Sequence, residues 1–471
     1  MTNGLAQNMT LPANWPQLSA IALGALIDDG AIDPVSLTEA AIERVSRIDP
    51  LSRTFWHGAE DRALTEAIAA HDRARKGLRR SRLDGVPVAW KDNIEAVGAP
   101  TTNGSRLLRN HLAPRDAAVL ARAVRAGLVT LGKTALTEFA FSGLGFNPTM
   151  GSPGNAFDRT LLPGGSSCGS AVAVARGLAP LAVGTDTAGS IRIPASWNGL
   201  VGLKPTPGAV PMEGILPLSR QRDVVGPIAK TVADAAAFWA LMSANPAPDL
   251  TAPRLKGALF LAPPEFLTEA DPDVATVFGA ALTRFESAGA RIDHTPLPVI
   301  ADVQVHADEN GNSVSAEGWA EWGALISANP SQVYDNVRIR MEKGAAGFDG
   351  VRFARTMREL DELTRIYVME TAQADAVILP TVMTLPPPIK ATDDPASYSE
   401  VNLKALRYTR VANMLGLPAI TLPCGMALAT EDRPSLPVGL TLMGPPHSEA
   451  RLLRLAAAME HFLPKITLPI S

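Results

Sequence analysis

The stretch PGGSSCGSAVAVARGLAPLAVGTDTAGSIRIPASWNGLVGLK, residues 163–204, gathers glycine and serine into two clusters around a short apolar run. Glycine has no Cβ, so such clusters let backbone approach a ligand or a neighbouring segment closely. In the second cluster Thr187, Ala188, Gly189 and Ser190 follow one another, and successive N–H groups of small residues can turn toward one point. A cradle of that kind is what an oxyanion hole requires, and Ser190 stands inside it.

A serine hydroxyl is a weak nucleophile until a base takes its proton. The histidines are His57, His71, His111, His294, His306, His447 and His461, and only His111 falls between 85 and 245, so nothing marks a Ser–His–Asp arrangement. Further toward the N-terminus, GVPVAWKDNI puts Lys91 at the end of an apolar strand, where desolvation can leave an amine neutral. Two other motifs compete. GLVTLGKT at 127–134 matches a GxxxxGK[ST] phosphate loop, but Leu128 to Leu131 read as strand and a helix precedes Gly127, whereas a phosphate loop is a flexible turn that follows a strand. GSSCG at 165–169 fits the GxSxG nucleophile elbow of a Ser–His–Asp esterase, with Ser167 as nucleophile and His294, His306, His447 or His461 as its base. That reading leaves Lys91 and the 187–190 cluster without a role. No lysine has a serine three positions before it, which removes SxxK enzymes. Cys168, with no adjacent histidine, reads as a small buried hydrophobe.

Around this segment the chain alternates strands and helices. Helical spacing of Leu37, Ala41, Val45 and Ile48 predicts a helix over 36–48, opened by Ser36 and Glu39 as a capping box. GVPVAWK (85–91) and GLVTLGK (127–133) read as strands with a helix from Ala117 to Ala126 between them. GALFLA (257–262) precedes a helix from Asp271-Pro272 to Gly289, and extended chain resumes at ARI. DAVILP (375–380) and LPAITLP (417–423) are apolar throughout, as central strands covered on both faces are. The expectation is an α/β fold with a twisted mixed, mostly parallel β-sheet flanked by helices. Residues 315–373 form a more helical subregion, with Phe353, Met357, Leu360, Thr364 and Tyr367 at helical spacing, and read as a lid or wall beside the core. No repeat and no linker divides the chain, so 1–471 reads as one domain, with an N-terminal helical segment at 36–60 and the motifs concentrated in 85–235.

Bulk properties bound the function. The 471 residues carry a net charge of −4 and 46% hydrophobic content, enough for a large core. The sequence pI near 6.0 gives no field to attract nucleic acid or anionic lipid. No apolar run approaches a spanning length, and MTNGLAQNMTLPANWPQ lacks the basic and apolar regions of a secretory signal, so the expected location is the cytoplasm. Cys168 and Cys424, far apart, give neither a disulfide framework nor a metal-ligand spacing, and neither metal nor cofactor is expected.

GVPVAWKDN, LGKTALTEFAFS, PGGSSCGSAVAVA, GTDTAGSIRIPASWNGLVGLKPT and LPAITLPCG resemble the amidase signature family in order, spacing and content, from about residue 36 to 457. The resemblance implies its layered α/β/α fold and a Ser–Ser–Lys triad. Lys91 is the base, Ser166 a bridging serine held by a cis peptide, and Ser190 the nucleophile. Thr187, Ala188, Gly189 and Ser190 supply the oxyanion hole, and Asp186 and Arg192 stand as supports behind the nucleophile. Two positions depart from the usual pattern: GGSSCGS carries Cys168 and DTAGS carries Ala188 where the family commonly has glycine. The implied reaction is amide hydrolysis through an acyl-enzyme. Phe139, Phe141, Phe146 and Ile193 lie beside the motifs as pocket walls, which leans the expected substrate toward aryl and alkyl amides, with urethanase-like cleavage of carbamates as an extension. The alternative within the family is the amidase component of a tRNA-dependent amidotransferase, in which the residue after the arginine is commonly polar; here it is Ile193.

Overall fold

The computed structural model describes residues 11–51, 53–251, 254–310 and 313–470; residues 1–10, part of the stretch read above for a secretory signal, lie outside these. Eleven strands run in chain order as β1 (Phe55–Gly58), β2 (Pro87–Lys91), β3 (Val129–Thr134), β4 (Leu181–Asp186), β5 (Val201–Lys204), β6 (Val224–Ala229), β7 (Leu259–Leu261), β8 (Arg291–Asp293), β9 (Ala376–Pro380), β10 (Ala419–Ala427) and β11 (Leu436–Met443). They form one sheet in the order β1-β3-β2-β4-β6-β5-β10-β11-β9-β7-β8.

The sheet is mixed, as expected, but parallel pairs are the minority. β2 is parallel to β3 and β4, and β7 to β8 and β9, while the other six pairings are antiparallel. An apolar run reports burial on both faces, not direction, and the segments joining β5 to β6 and β10 to β11 return the chain without a crossover helix. In β6, Pro227 pairs with Val183 of β4, and the ladder to β5 ends at Ile228. The strand therefore tolerates a residue with no N–H to donate.

Helices cover both faces. The helix Cys168–Ala175 is buried all round. Its small residues explain how it sits so tightly: a Cβ on Gly169 would come within 2.4 Å of the Ala135 backbone nitrogen. The helix near the N-terminus starts at Pro34 rather than Ser36, because the Asp33 carboxylate accepts from Ser36 N–H at 3.2 Å and is the cap. The segment 36–60 is not helical throughout, since β1 follows. Residues 315–373 fall on three helices, Ser313–Ala328, Asp335–Ala346 and Gly350–Glu370. Ile326, Val337 and Met341 of the first two pack with Leu136, Phe139 and Leu218 of the segments that follow β3 and β5.

Candidate active site

Parallel strands β2 and β4 end side by side, in register from Val88↔Leu181 to Trp90↔Val183. That register brings Lys91, the last residue of β2, against Thr185 near the end of β4. Lys91 is fully buried. Its Nζ lies 2.7 Å from Ser166 Oγ, 2.8 Å from Thr185 Oγ1 and 3.4 Å from the Thr185 carbonyl oxygen. Thr185 Oγ1 also accepts from Asn93 Nδ2 at 3.0 Å. No carboxylate lies within ion-pair distance of Lys91 among the described residues. Burial pushes its pKa from 10.5 down to about 7.

Lys133, on β3, is buried almost as deeply but meets the Asp92 carboxylate at 2.7 Å, and Asp92 accepts as well from Thr102 N–H and Oγ–H. Burial lowers this lysine's pKa too, and the carboxylate opposes that shift. The literal phosphate-loop motif is thus a buried strand ending in an ion pair, with no free turn to cradle a phosphate.

The serine-rich segment crosses the end of this strand pair. The Gly165–Ser166 peptide is cis. Ser166 and Ser167 are fully buried, and Ser167 Oγ donates to the Thr185 carbonyl at 3.2 Å, which leaves it no access to the cavity as an elbow nucleophile. Cys168 is buried against the Ala135 carbonyl, and burial pushes its thiol up to about 12.

Ser190 lies on the wall of a cavity of about 730 Å³, together with Thr187 and Ala188. No histidine lines that cavity among the described residues. The turn bearing Ser190 is organised by Asp186. Its carboxylate accepts from Gly189 N–H at 2.7 Å, Ile191 N–H at 3.1 Å, Arg192 Nε and Nη2 at 3.1 and 3.2 Å, and Asn413 Nδ2 at 2.8 Å. Burial alone would raise this carboxyl, but the Arg192 charge and these hydrogen bonds hold it down at about 2. Asp186 and Arg192 therefore support the turn from behind and do not reach the cavity. Of the four backbone donors expected at an oxyanion, Gly189 N–H is committed to Asp186, whereas those of Thr187, Ala188 and Ser190 meet no acceptor among the described residues. The side chains of Ser166 and Ser190 share no hydrogen bond among the described residues.

The expected apolar pocket is only partly present. Phe141 reaches the cavity wall. Ile193 is fully buried in a cluster with Leu144, Trp197 and Tyr398, and Phe146 packs there edge-on to Tyr334 at 6.1 Å. Phe139 stacks on Trp322 at 5.4 Å. Phe139 and Phe146 face away from the cavity because the chain turns between 139 and 146, with Phe139 and Ala140 at positive φ, and presents only Phe141 to the open side, while Ile193 points inward from the short helix Arg192–Trp197. The helices Ser313–Ala328 and Asp335–Ala346 contribute Val314, Ser315 and Arg340 to the wall. The site also holds residues that the motifs did not single out. Thr185 and Asn93 surround the lysine. Asp223 accepts from Thr187 Oγ1 at 2.5 Å and from Leu218 and Ser219 N–H, and burial pushes it up to about 6. The dipeptide Thr185-Asp186 inside GTDT was the one available signal for Thr185.

The described residues include no helix long and apolar enough to cross a membrane and no cluster of three metal-ligating side chains. Comparison with known proteins gives the same reading as the fold. A 2-amino-5-chloromuconic acid deaminase of Comamonas testosteroni is 34% identical over 463 residues, covering 95% of this chain and 96% of that protein. A glutamyl-tRNA(Gln) amidotransferase subunit of Chloroflexus aurantiacus is also 34% identical, covering 94% and 96%. The solved peptide amidase of Stenotrophomonas maltophilia superposes with a TM-score of 0.79 at 30% identity, covering 97% of this chain and 99% of that one. The amidase family model matches residues 36–453, so nearly the whole chain, including every motif described above, lies within the match. The protein is a member of the amidase family, a hydrolase of amide-type C–N bonds.

Proposed function

We propose that Ser190 attacks the amide carbonyl carbon while Lys91, acting through Ser166, takes up its proton. The observation that carries this is the 2.7 Å contact between Ser166 and a fully buried lysine whose pKa lies near 7. A neutral amine has two N–H donors and one lone pair. The two Thr185 oxygens suit the donors and the Ser166 hydroxyl suits the lone pair, so the neutral form satisfies all three contacts. Proton transfer from Ser190 to Ser166 then requires only that Ser190 Oγ swing within hydrogen-bond reach when substrate docks, a tightening common in such sites. The oxyanion is received by the N–H groups of Thr187, Ala188 and Ser190, with Gly189 fixing the turn. The proton returns through Ser166 to the departing amine, and water releases the acyl group from Ser190.

A second reading, as the amidase component of a tRNA-dependent amidotransferase, is favoured by the equal identity to the Chloroflexus aurantiacus protein. Carbamates present the same carbonyl to the same groups. The two cysteines are free and buried, which suits a reducing cytoplasm. The deciding experiment is intact-mass analysis of the isolated protein during anilide turnover. A mass increase equal to the acyl group, absent in Ser190→Ala, is expected. Turnover by Ser190→Ala, or activity only with partner proteins added, would overturn the reading.

A further inference from the structure

The charged residues lining the cavity fall into two classes. On the rim, Lys404 pairs with Glu400 at 2.8 Å, Arg407 with Glu269 at 2.7 Å and Arg410 with Asp308 at 2.7 Å. Arg222 and Arg340, on the same wall as Ser190, have no such partner among the described residues. Arg222 is 6% exposed, and the one hydrogen bond of its guanidinium among these residues is from Nη2 to the Ser313 hydroxyl at 2.9 Å. The Glu317 carboxylate, the anion with most influence on it, is occupied by Ser219 Oγ–H at 2.5 Å and Gln221 N–H at 3.1 Å. Arg340 lies 4.9 Å over the Phe141 ring and 5.6 Å from the Tyr398 ring, with the Phe141 carbonyl 3.4 Å from Nη1, so its neighbours are neutral. Asn402 adds a third donor. Its Oδ1 accepts from Gly143 N–H at 2.8 Å and Ser142 Oγ–H at 2.9 Å, which fixes the amide's orientation, and its buried Nδ2 has no acceptor among the described residues.

A buried guanidinium without a counterion is costly, and Arg222 in that state, with the half-buried Arg340 and an unsatisfied amide donor facing the same cavity, forms a site suited to an anion. We infer that the substrates of this cavity are amides carrying a carboxylate apart from the scissile bond, which Arg222 and Arg340 receive. The inference rests on the amide-hydrolysis reading for the reaction and on the arginines for the specificity. Carboxylate is the fitting anion because the planar guanidinium fork matches its two oxygens. The volume, about 730 Å³, accommodates such a molecule in either orientation, with the anion on the acyl or the amine side.

The test measures kcat/KM of the isolated protein on two matched pairs. Succinanilate against butyranilide carries the anion on the acyl side, and 4-acetamidobenzoate against acetanilide on the amine side. In at least one pair the anionic member is expected to be preferred about tenfold or more, with its KM rising as salt is added. Arg222→Gln and Arg340→Gln should each collapse that ratio, and Arg222→Lys should recover part of it. Ratios near one in both pairs, or ratios that neither glutamine variant alters, would overturn the inference. Calorimetric titration of Ser190→Ala with the same compounds separates it from the reaction mechanism, because binding needs no turnover. Tighter binding of the anionic member supports the inference even if Ser190 proves not to be the nucleophile, and equal binding of both refutes it while the hydrolysis stands. Where a glutamine variant fails to fold, the ratio in the unaltered protein and its salt dependence decide.

Discussion

Replacing Lys91 with methionine should abolish turnover and change stability in a way that depends on pH. In the folded protein Lys91 has a pKa of about 7, against 10.5 for a free lysine. The folded state thus binds this proton more weakly than the unfolded chain, so the residue subtracts stability. The subtraction is complete below about pH 7 and fades as pH rises toward 10.5. At 1.36 kcal/mol per pKa unit it amounts to about 4 kcal/mol at pH 7 and about 2 kcal/mol at pH 9. Methionine fills similar space without charge, but it forfeits the hydrogen bonds to Ser166 and Thr185, each worth about 1 kcal/mol. Those losses do not titrate, and the working range lies above the value of about 6 held by the nearby Asp223. The stability difference between Lys91→Met and the unaltered protein should therefore shift by roughly 2 kcal/mol against the variant between pH 7 and pH 9. Denaturant midpoints at the two pH values measure it. Over the same range kcat/KM of the unaltered enzyme should rise through about pH 7, as the free base forms. A stability difference that stays constant or moves the other way would show that Lys91 is not held neutral by burial, and the proposed base would lose its physical footing.

Asp186→Asn leaves one acceptor and introduces a donor among five donors, so Arg192 keeps a buried charge without its anion. A loss of about 3–5 kcal/mol is expected in denaturant unfolding, together with most activity, and unchanged stability would contradict the role assigned to Asp186. Gly189→Ala would put a Cβ 2.1 Å from Thr409 Oγ1 at a residue whose φ is +138°. Turnover should fall about 100-fold or more while far-ultraviolet circular dichroism stays unchanged, and near-normal turnover would mean that the turn does not aim the oxyanion donors.

Much of this is legible in the sequence because the candidate site lies at strand ends and in glycine-rich turns, which leave local marks. The strand ending at Lys91 and the serine cluster at 166–167 can be read from residue order alone. The helix beginning at Pro272 announces itself through Asp271-Pro272. Strand direction cannot be read, since burial on both faces looks the same in either sense. β6 escapes notice because Pro227 ordinarily argues against a central strand, and only its register beside a short β5 explains why it is tolerated. The pocket is hard to read for a similar reason: Phe146 and Ile193 have the composition of a wall, but Ile193 sits in the core and Phe146 packs against it. Arg222 and Arg340 come from distant elements, and what distinguishes them from Arg407 and Arg410 is the lack of a carboxylate within ion-pair distance among the described residues. An absence of that kind exists only in three dimensions.

The two buried lysines at the ends of β2 and β3 form a natural controlled comparison: the same side chain, comparable depth and adjacent strands, but only Lys133 has been given an acid. Lys91 is defined by exclusion. Its immediate neighbours Ser166 and Thr185, and Asn93 one step beyond, are hydroxyls and an amide, uncharged relatives of the acids that would turn it into a second Lys133. Residues that look interchangeable with aspartate on grounds of size are therefore the positions where aspartate is least tolerable. With Lys91 as the proposed base, the enzyme is as exposed to inactivation by a charge gained in this small shell as by a group lost from it.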